Sequence, residues 1–156
     1  MMTDIDEQRL FTIEQVATHT GFTKRTLRYY EEVGLLPPTG RTEGNYRRYS
    51  EADLERLEGI KNLRDLLGFS LSDIREIMQA EDERGQIKVA YQHETEATAK
   101  VAQLNRADEL IRGQMEVIEK KLAGLEHMKA TLMAKLERHE HIRNELMNKQ
   151  KRSILE

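Results

Sequence analysis

The sequence predicts a mainly α-helical protein: a small helical domain carrying a short β-hairpin wing, followed by one long helix that forms a coiled coil. Three observations carry that expectation. Composition changes near Glu81, with all three Phe, both Pro, four of the five Tyr and six of the nine Gly lying before it. Beyond it Glu, Lys, Leu, Ala and Met dominate, all strong helix formers. Capping residues and glycines divide the first half into short helices, and an apolar heptad seam runs through the second half.

The first helix is expected at about Thr12–Thr18. Thr12 is its N-cap, with Ile13, Val16 and Ala17 on one face. His19-Thr20-Gly21-Phe22 breaks it. Thr23 caps a second helix over about Lys24–Glu32, which Gly34 ends. Leu35-Leu36-Pro37-Pro38 cannot continue a helix. Residues 39–49, with Gly40, Gly44-Asn45 and β-favouring Tyr and Thr, suit a short hairpin or wing.

Ser50 with Asp53 makes a capping box. It opens a helix closed by Gly68, with Leu54, Leu57, Ile60, Leu63 and Leu67 as its inner stripe. Ser70 with Asp73 repeats the pattern before a shorter helix that buries Leu71, Ile74, Ile77 and Met78. Glu81-Asp82-Glu83-Arg84-Gly85 is the expected joint. The organisation that follows is a compact domain at 1–80, a helical arm at 86–150 and a tail at 151–156.

Within the arm, Leu104, Ile111, Ile118, Leu125, Leu132 and Leu146 lie on one seven-residue series, with His139 its polar member. Met115, Leu122, Lys129, Leu136 and Arg143 lie on a companion series four residues on. About six heptads with charged flanks argue a coiled coil. From 104 to 146 such a helix runs roughly 64 Å at 1.5 Å per residue. That overruns an 80-residue domain, so the apolar edge needs a partner, most simply the same helix of a second copy. Leu104, Ile111, Met115, Ile118, Leu122, Leu125, Leu132 and Leu136 are the expected dimerisation residues.

Several function classes fall away. There is no cysteine, which excludes disulfides, thiolate metal sites, Cys nucleophiles and thiol redox sensing. No long apolar run is present, so neither a membrane span nor a secretory segment is expected, and the cytoplasm is the expected compartment. No P-loop, His-Glu-x-x-His, nucleophile elbow or paired-carboxylate pocket marks an enzyme. His93, His127, His139 and His141 lie in the arm; Glu137 and His141 share a face, but three or four ligands would be needed, so no metal or other cofactor is expected. The net charge of −3 excludes a globally basic protein. Locally, Lys24, Arg25, Arg28, Arg41, Arg47 and Arg48 stand against Glu31, Glu32 and Glu43, a basic patch suited to a phosphate backbone.

Ala17, Gly21 and Leu27 have helix-turn-helix spacing: a small residue for close helix approach, a glycine for the turn, a leucine anchoring the second helix. In that second helix Leu27 and Tyr30 face inward, which leaves Thr23 at the cap and Lys24, Arg25, Arg28 and Tyr29 outward. Three cations and a phenol on one outer face suit a helix in a DNA major groove. The run Asn45-Tyr46-Arg47-Arg48-Tyr49 follows at a distance that can reach phosphates beside it.

At these residues the chain resembles a known family. Phe11-Thr12-Ile13, Thr26-Leu27-Arg28-Tyr29-Tyr30-Glu31, Gly34-Leu35-Leu36-Pro37-Pro38 and Tyr46-Arg47-Arg48-Tyr49-Ser50 look like the MerR family of bacterial transcription regulators, over about residues 10–80. The resemblance implies a winged helix-turn-helix DNA-binding domain and an antiparallel two-stranded coiled coil that forms a homodimer. It implies pseudo-palindromic promoters with over-spaced −35 and −10 elements, distorted so that RNA polymerase can use both. It further implies recognition-helix contacts from Arg28 and Tyr29 and wing contacts from Tyr46 and Arg47. Lys24 and Arg25 then occupy the positions that set base choice.

The chain departs from the family where an effector is sensed. It lacks the cysteines of the metal- and redox-sensing branches, and ten residues after Leu146 leave no room for a ligand domain. An effector, if there is one, is expected to be an organic molecule or a protein, near 86–103, with Tyr91 and Val101 as apolar contacts. The competing reading is a coiled-coil adaptor without sequence-specific DNA function; the arm alone would support it, and the Lys24-Arg25-Arg28 face argues against it.

Overall fold

The computed structural model describes residues 9–37, 40, 41, 44 and 46–155. Thr39, Thr42, Glu43 and Asn45, which the hairpin expectation includes, lie outside the described residues, as do residues 1–8 of the expected domain, Pro38 of the helix stop and Glu156 of the tail. The chain divides after Ile111 into two compact units.

Helix α1 spans Ile13–Thr20, with Thr12 and Gln15 forming a reciprocal capping box. At its end Gly21 has φ +80°, and its N–H donates to the Ala17 carbonyl. The last carbonyl, that of Thr20, accepts from Lys61 Nζ at 2.7 Å. A Cβ on Gly21 would lie 3.4 Å from that same Nζ. Left-handed backbone costs a non-glycine residue about 1–2 kcal/mol. Gly21→Ala should therefore destabilise this unit by about that amount in urea unfolding. An unchanged midpoint would show that the turn tolerates a side chain.

Helix α2 spans Lys24–Glu32, and the Thr23 hydroxyl accepts from the Thr26 amide. Strands β1 (Gly40–Arg41) and β2 (Arg47–Arg48) pair antiparallel, with Gly40 opposite Arg48 and Arg41 opposite Arg47. Tyr49 then bridges back to Phe11, N to O at 2.7 and 2.9 Å, so the wing is anchored at the entry to α1.

Helix α3 spans Glu51–Lys61, opened by the Ser50–Asp53 capping box. It runs into one widened turn at Asn62–Leu66, where Leu67 N–H donates five residues back to the Asn62 carbonyl. This corrects the expected stripe. Leu57 and Ile60 are fully buried and Leu54 and Leu63 half-buried, but Leu67 is 52% exposed. The wide turn adds a residue to the cycle, and one residue is about 100° of helix rotation, so Leu67 swings outward. Phe69 is buried beyond it.

Helix α4 spans Leu71–His93, capped by Ser70, with Ile74, Ile77 and Met78 buried. It runs unbroken through 81–85, which corrects the expected joint. A lone Gly costs a helix only about 1 kcal/mol, and the carboxylates around it are tied down. Asp82 is paired with Arg56, and Glu83 accepts from Arg106 at 2.8 and 3.0 Å. The chain turns instead at 94–96, where the Glu94 carboxylate accepts from the amides of Thr95 and Glu96, both at 3.1 Å. Helix α5 then spans Ala97–Leu155, 59 residues without interruption. Its first turns thus belong to the 86–103 stretch that the sequence places between domain and seam.

The core of the first unit contains Val16, Leu27, Leu35, Leu36, Tyr49, Leu57, Ile60 and Ile74, each at most 1% exposed. The seam is different. The eight expected dimerisation residues range from 38% exposed at Ile111 to 68% at Leu136. The isolated chain leaves this stripe to solvent. Among the described residues, no helix is long and apolar enough to cross a membrane.

Candidate nucleic-acid interface

The first three turns after Gly21 set the geometry. Thr23 caps α2, and Leu27 and Tyr30 bury its inner face. Tyr30 packs edge-on to Phe22, ring centroids 5.4 Å apart. Arg64 lies over the Phe22 ring at 4.7 Å, and its Nη1 donates to the Tyr30 hydroxyl at 3.2 Å. This stack fixes the rotation of α2 about its axis. Lys24, Arg25, Arg28 and Tyr29 are consequently exposed, as the spacing of Leu27 and Tyr30 requires. Arg25, Arg28 and Tyr29 line a shallow concavity with Thr26 and Glu32. The helix N-terminus adds its own partial positive charge at the Thr23 end.

Two of the cations have protein partners that the sequence does not reveal. Lys24 Nζ lies 3.0 Å from Glu14 Oε1 on α1, and the Lys24 hydrogen bond holds the Glu14 carboxyl below its ordinary value. Arg47 Nε donates to Glu31 Oε2 at 2.7 Å, in a pair whose side chains are 25% and 14% exposed. That bond ties strand β2 to helix α2, so wing and helix present their outer groups at a fixed spacing. Tyr46 stands beside it, 70% exposed. Nothing local marks these pairs, because each joins two elements.

Tyr49 is a correction. The wing run includes it among residues that reach phosphate, but it is fully buried, and its hydroxyl has no hydrogen-bond partner among the described residues. Burial pushes the phenol above its ordinary pKa, and the nearby Glu31 charge pushes the same way. Tyr49 is a core residue that closes the wing onto α1.

Other expected features are dispersed. His141 pairs with Glu145 at 3.1 Å rather than with Glu137. Among the described residues no cluster of histidine and carboxylate groups is arranged to hold a metal. Tyr91 lines a groove between α4 and the start of α5, with Lys100 Nζ 4.9 Å from its ring centre. Val101 does not line that groove. A larger concavity between α1 and α3 is lined by Phe11 and Leu54, by Glu14, Glu51, Glu55 and Glu58, and by Arg9 and His19.

A capped helix with a cationic outer face, set by a tight glycine turn and braced by a hairpin, defines a winged helix-turn-helix DNA-binding protein. The comparisons with known proteins name the family. The model described as MerR HTH family regulatory protein matches residues 11–81. The HTH-type transcriptional regulator YfmP of Bacillus subtilis is 35% identical over 120 residues, covering 77% of this chain and 86% of that protein. The HTH-type transcriptional activator TipA of Streptomyces coelicolor is 36% identical over 108 residues, and the matched part is 68% of this chain but 41% of TipA. A solved structure of HiNmlR, a MerR family regulator lacking the sensor domain and bound to promoter DNA, matches 76% of this chain and 83% of its own at 24% identity, with a TM-score of 0.42. The chain belongs to the MerR family of helix-turn-helix regulators, and is a sequence-specific DNA-binding transcription regulator.

Proposed function

We propose that the protein is a homodimeric cytoplasmic regulator that binds a pseudo-palindromic promoter through two copies of the 1–80 domain and distorts an over-long spacer so that RNA polymerase engages both promoter elements. The outward face of α2 carries this reading: Lys24, Arg25, Arg28 and Tyr29 are all exposed while Leu27 and Tyr30 are buried. Lys24 and Arg25 lie in the first turn, where side chains reach base edges, with Glu14 orienting Lys24. Arg28, Tyr29, Tyr46, Arg47 and the Thr23 end of the helix act on the flanking backbone. The exposed heptad residues supply the dimer. Any effector is an organic molecule or a protein, since cysteine chemistry is absent.

Binding to duplex DNA across a salt series tests this. A steep slope and a preferred sequence are expected; a shallow slope with no preference would instead mark a coiled-coil adaptor. Arg25→Ala should relax the preference at one base pair, worth about 1–3 kcal/mol of discrimination. Arg47→Ala should weaken every sequence alike and flatten the slope by about one unit. A change of preference at a single base pair with Arg47→Ala would contradict its assignment to phosphate.

A further inference from the structure

Helices α1 and α3 enclose a concavity of about 780 Å³ that DNA binding leaves unused. Its lining includes no residue of α2 or of strands β1 and β2. The apolar part is Phe11, just before α1, and Leu54 on α3, and both are only half-buried. On α3 the residues Glu51, Leu54, Glu55 and Glu58 fall at i, i+3, i+4 and i+7. One helix face therefore presents three carboxylates around an apolar residue, over about 10 Å.

These carboxylates are unequally satisfied. Glu14, on the α1 side, holds Lys24, and Glu58 lies 3.3 Å from His19 Nε2. Glu51 and Glu55 have neither a hydrogen bond nor an ion pair among the described residues. The groove also holds a cation of its own. The Arg9 guanidinium lies over the Phe11 ring, 5.3 Å from its centre, in the manner of an arginine stacked on an aromatic face. Arg9 is exposed and belongs to no helix or strand, so an arginine from outside can replace it. Its position shows what the apolar end of the groove accepts.

The occupant follows from this chemistry. Unpaired carboxylates suit a cation and disfavour an acidic peptide. Half-buried Phe11 and Leu54 favour a cation that brings apolar surface with it, as arginine does on its long stem. The repeat of Glu51, Glu55 and Glu58 is the repeat of a helix. Basic side chains spaced by three and four residues on a second helix, laid along α3, meet these carboxylates in turn. A cleft between two helices with an apolar floor receives the face of such a helix, with one large apolar side chain as anchor.

We infer that the groove between α1 and α3 is a docking site for a partner protein, which enters it with a basic amphipathic helix. Arginines of that helix pair with Glu51 and Glu55, and its apolar residue rests on Leu54. An incoming arginine takes the place of Arg9 over Phe11. The outward face of α2 takes no part, so it stays available for DNA.

The probe is a fluorescent alanine-based peptide of about 16 residues, long enough to form a helix. It carries three arginines spaced by four and three residues, with one leucine among them on the same face. Fluorescence anisotropy should show it binding the intact chain. Glu51→Gln with Glu55→Gln should weaken that binding about tenfold, two exposed ion pairs being lost. DNA affinity and the urea midpoint should not move, since both positions are exposed and outside the DNA face. Glu55→Gln alone should give a smaller loss in the same direction. Arg9→Ala should tighten binding a few-fold by vacating Phe11. A scrambled peptide of the same composition should bind about tenfold less tightly than the ordered one. Equal binding of the scrambled peptide would reduce the effect to bare charge. Displacement of the peptide by spermidine at equal concentration would make this a site for small cations. Either result overturns the inference. So does failure of the peptide to bind, binding that the glutamine variants leave unchanged, or weaker binding with Arg9→Ala.

Discussion

Replacing Ile118 and Leu125 together with lysine will convert the protein to monomers and remove most of its affinity for a two-half-site DNA. Both residues are about half exposed in the single chain, at 44% and 53%, so the substitutions cost the folded unit little. In a dimer the cost is large. Four ammonium groups would enter apolar layers near the centre of the seam, where burial of an unpaired charge is strongly unfavourable. Binding two linked half-sites gains about 10²–10⁴ over one through effective concentration, and a monomer forfeits that gain. Light scattering should report the monomer mass, and gel retardation should show affinity falling by about that factor. The thermal transition of the first unit should barely move. Retention of a dimer would remove the seam from the interface.

The second large effect is in the core. Leu27 is fully buried on the inner face of α2, between the exposed Lys24–Arg25 and Arg28–Tyr29 positions. Leu27→Ala should cost about 2–5 kcal/mol, the range for a buried leucine truncated to leave a cavity. Small domains have about 5–15 kcal/mol in all, so this is a large share of the stability of the unit. DNA affinity should fall with the folded fraction and not through any lost contact. Leu27→Met, which conserves volume, should cost less than about 1.5 kcal/mol and restore binding. Urea unfolding of both variants decides the matter. A stable Leu27→Ala protein that fails to bind DNA would assign Leu27 a role in the interface itself.

Features that depend on a few adjacent residues are legible in the sequence. Thr12, Thr23, Ser50 and Ser70 all have N-cap signatures, and each side chain accepts the backbone amide three residues on. Gly21 stands where the helix-turn-helix spacing needs a turn, and it has positive φ. The outward face of α2 follows from Leu27 and Tyr30 alone. What escapes involves partners far apart in sequence. Lys61 completes the end of α1 from 41 residues away. Arg47 is held by Glu31, and Tyr49 is drawn into the core by its bridge to Phe11. The widened turn at Asn62–Leu66 has no compositional mark, and it moves Leu67 off the expected stripe. Helix α4 outruns its expected end because Asp82 and Glu83, which have the composition of a charged joint, find arginine partners on other elements.

One of those arginines has a mechanical consequence. Arg56 on α3 is largely buried, at 15% exposure; its Nε donates to the Leu35 carbonyl in the turn after α2, and its terminal nitrogens bind the Asp82 carboxylate on α4. A single planar group therefore bolts three successive segments, and a guanidinium bonded at both edges resists shear in its own plane. Helix α2 has little freedom to swivel against α4. Arg56 thus links the turn that ends α2 to α4, so a movement of α4 is expected to carry α2 with it.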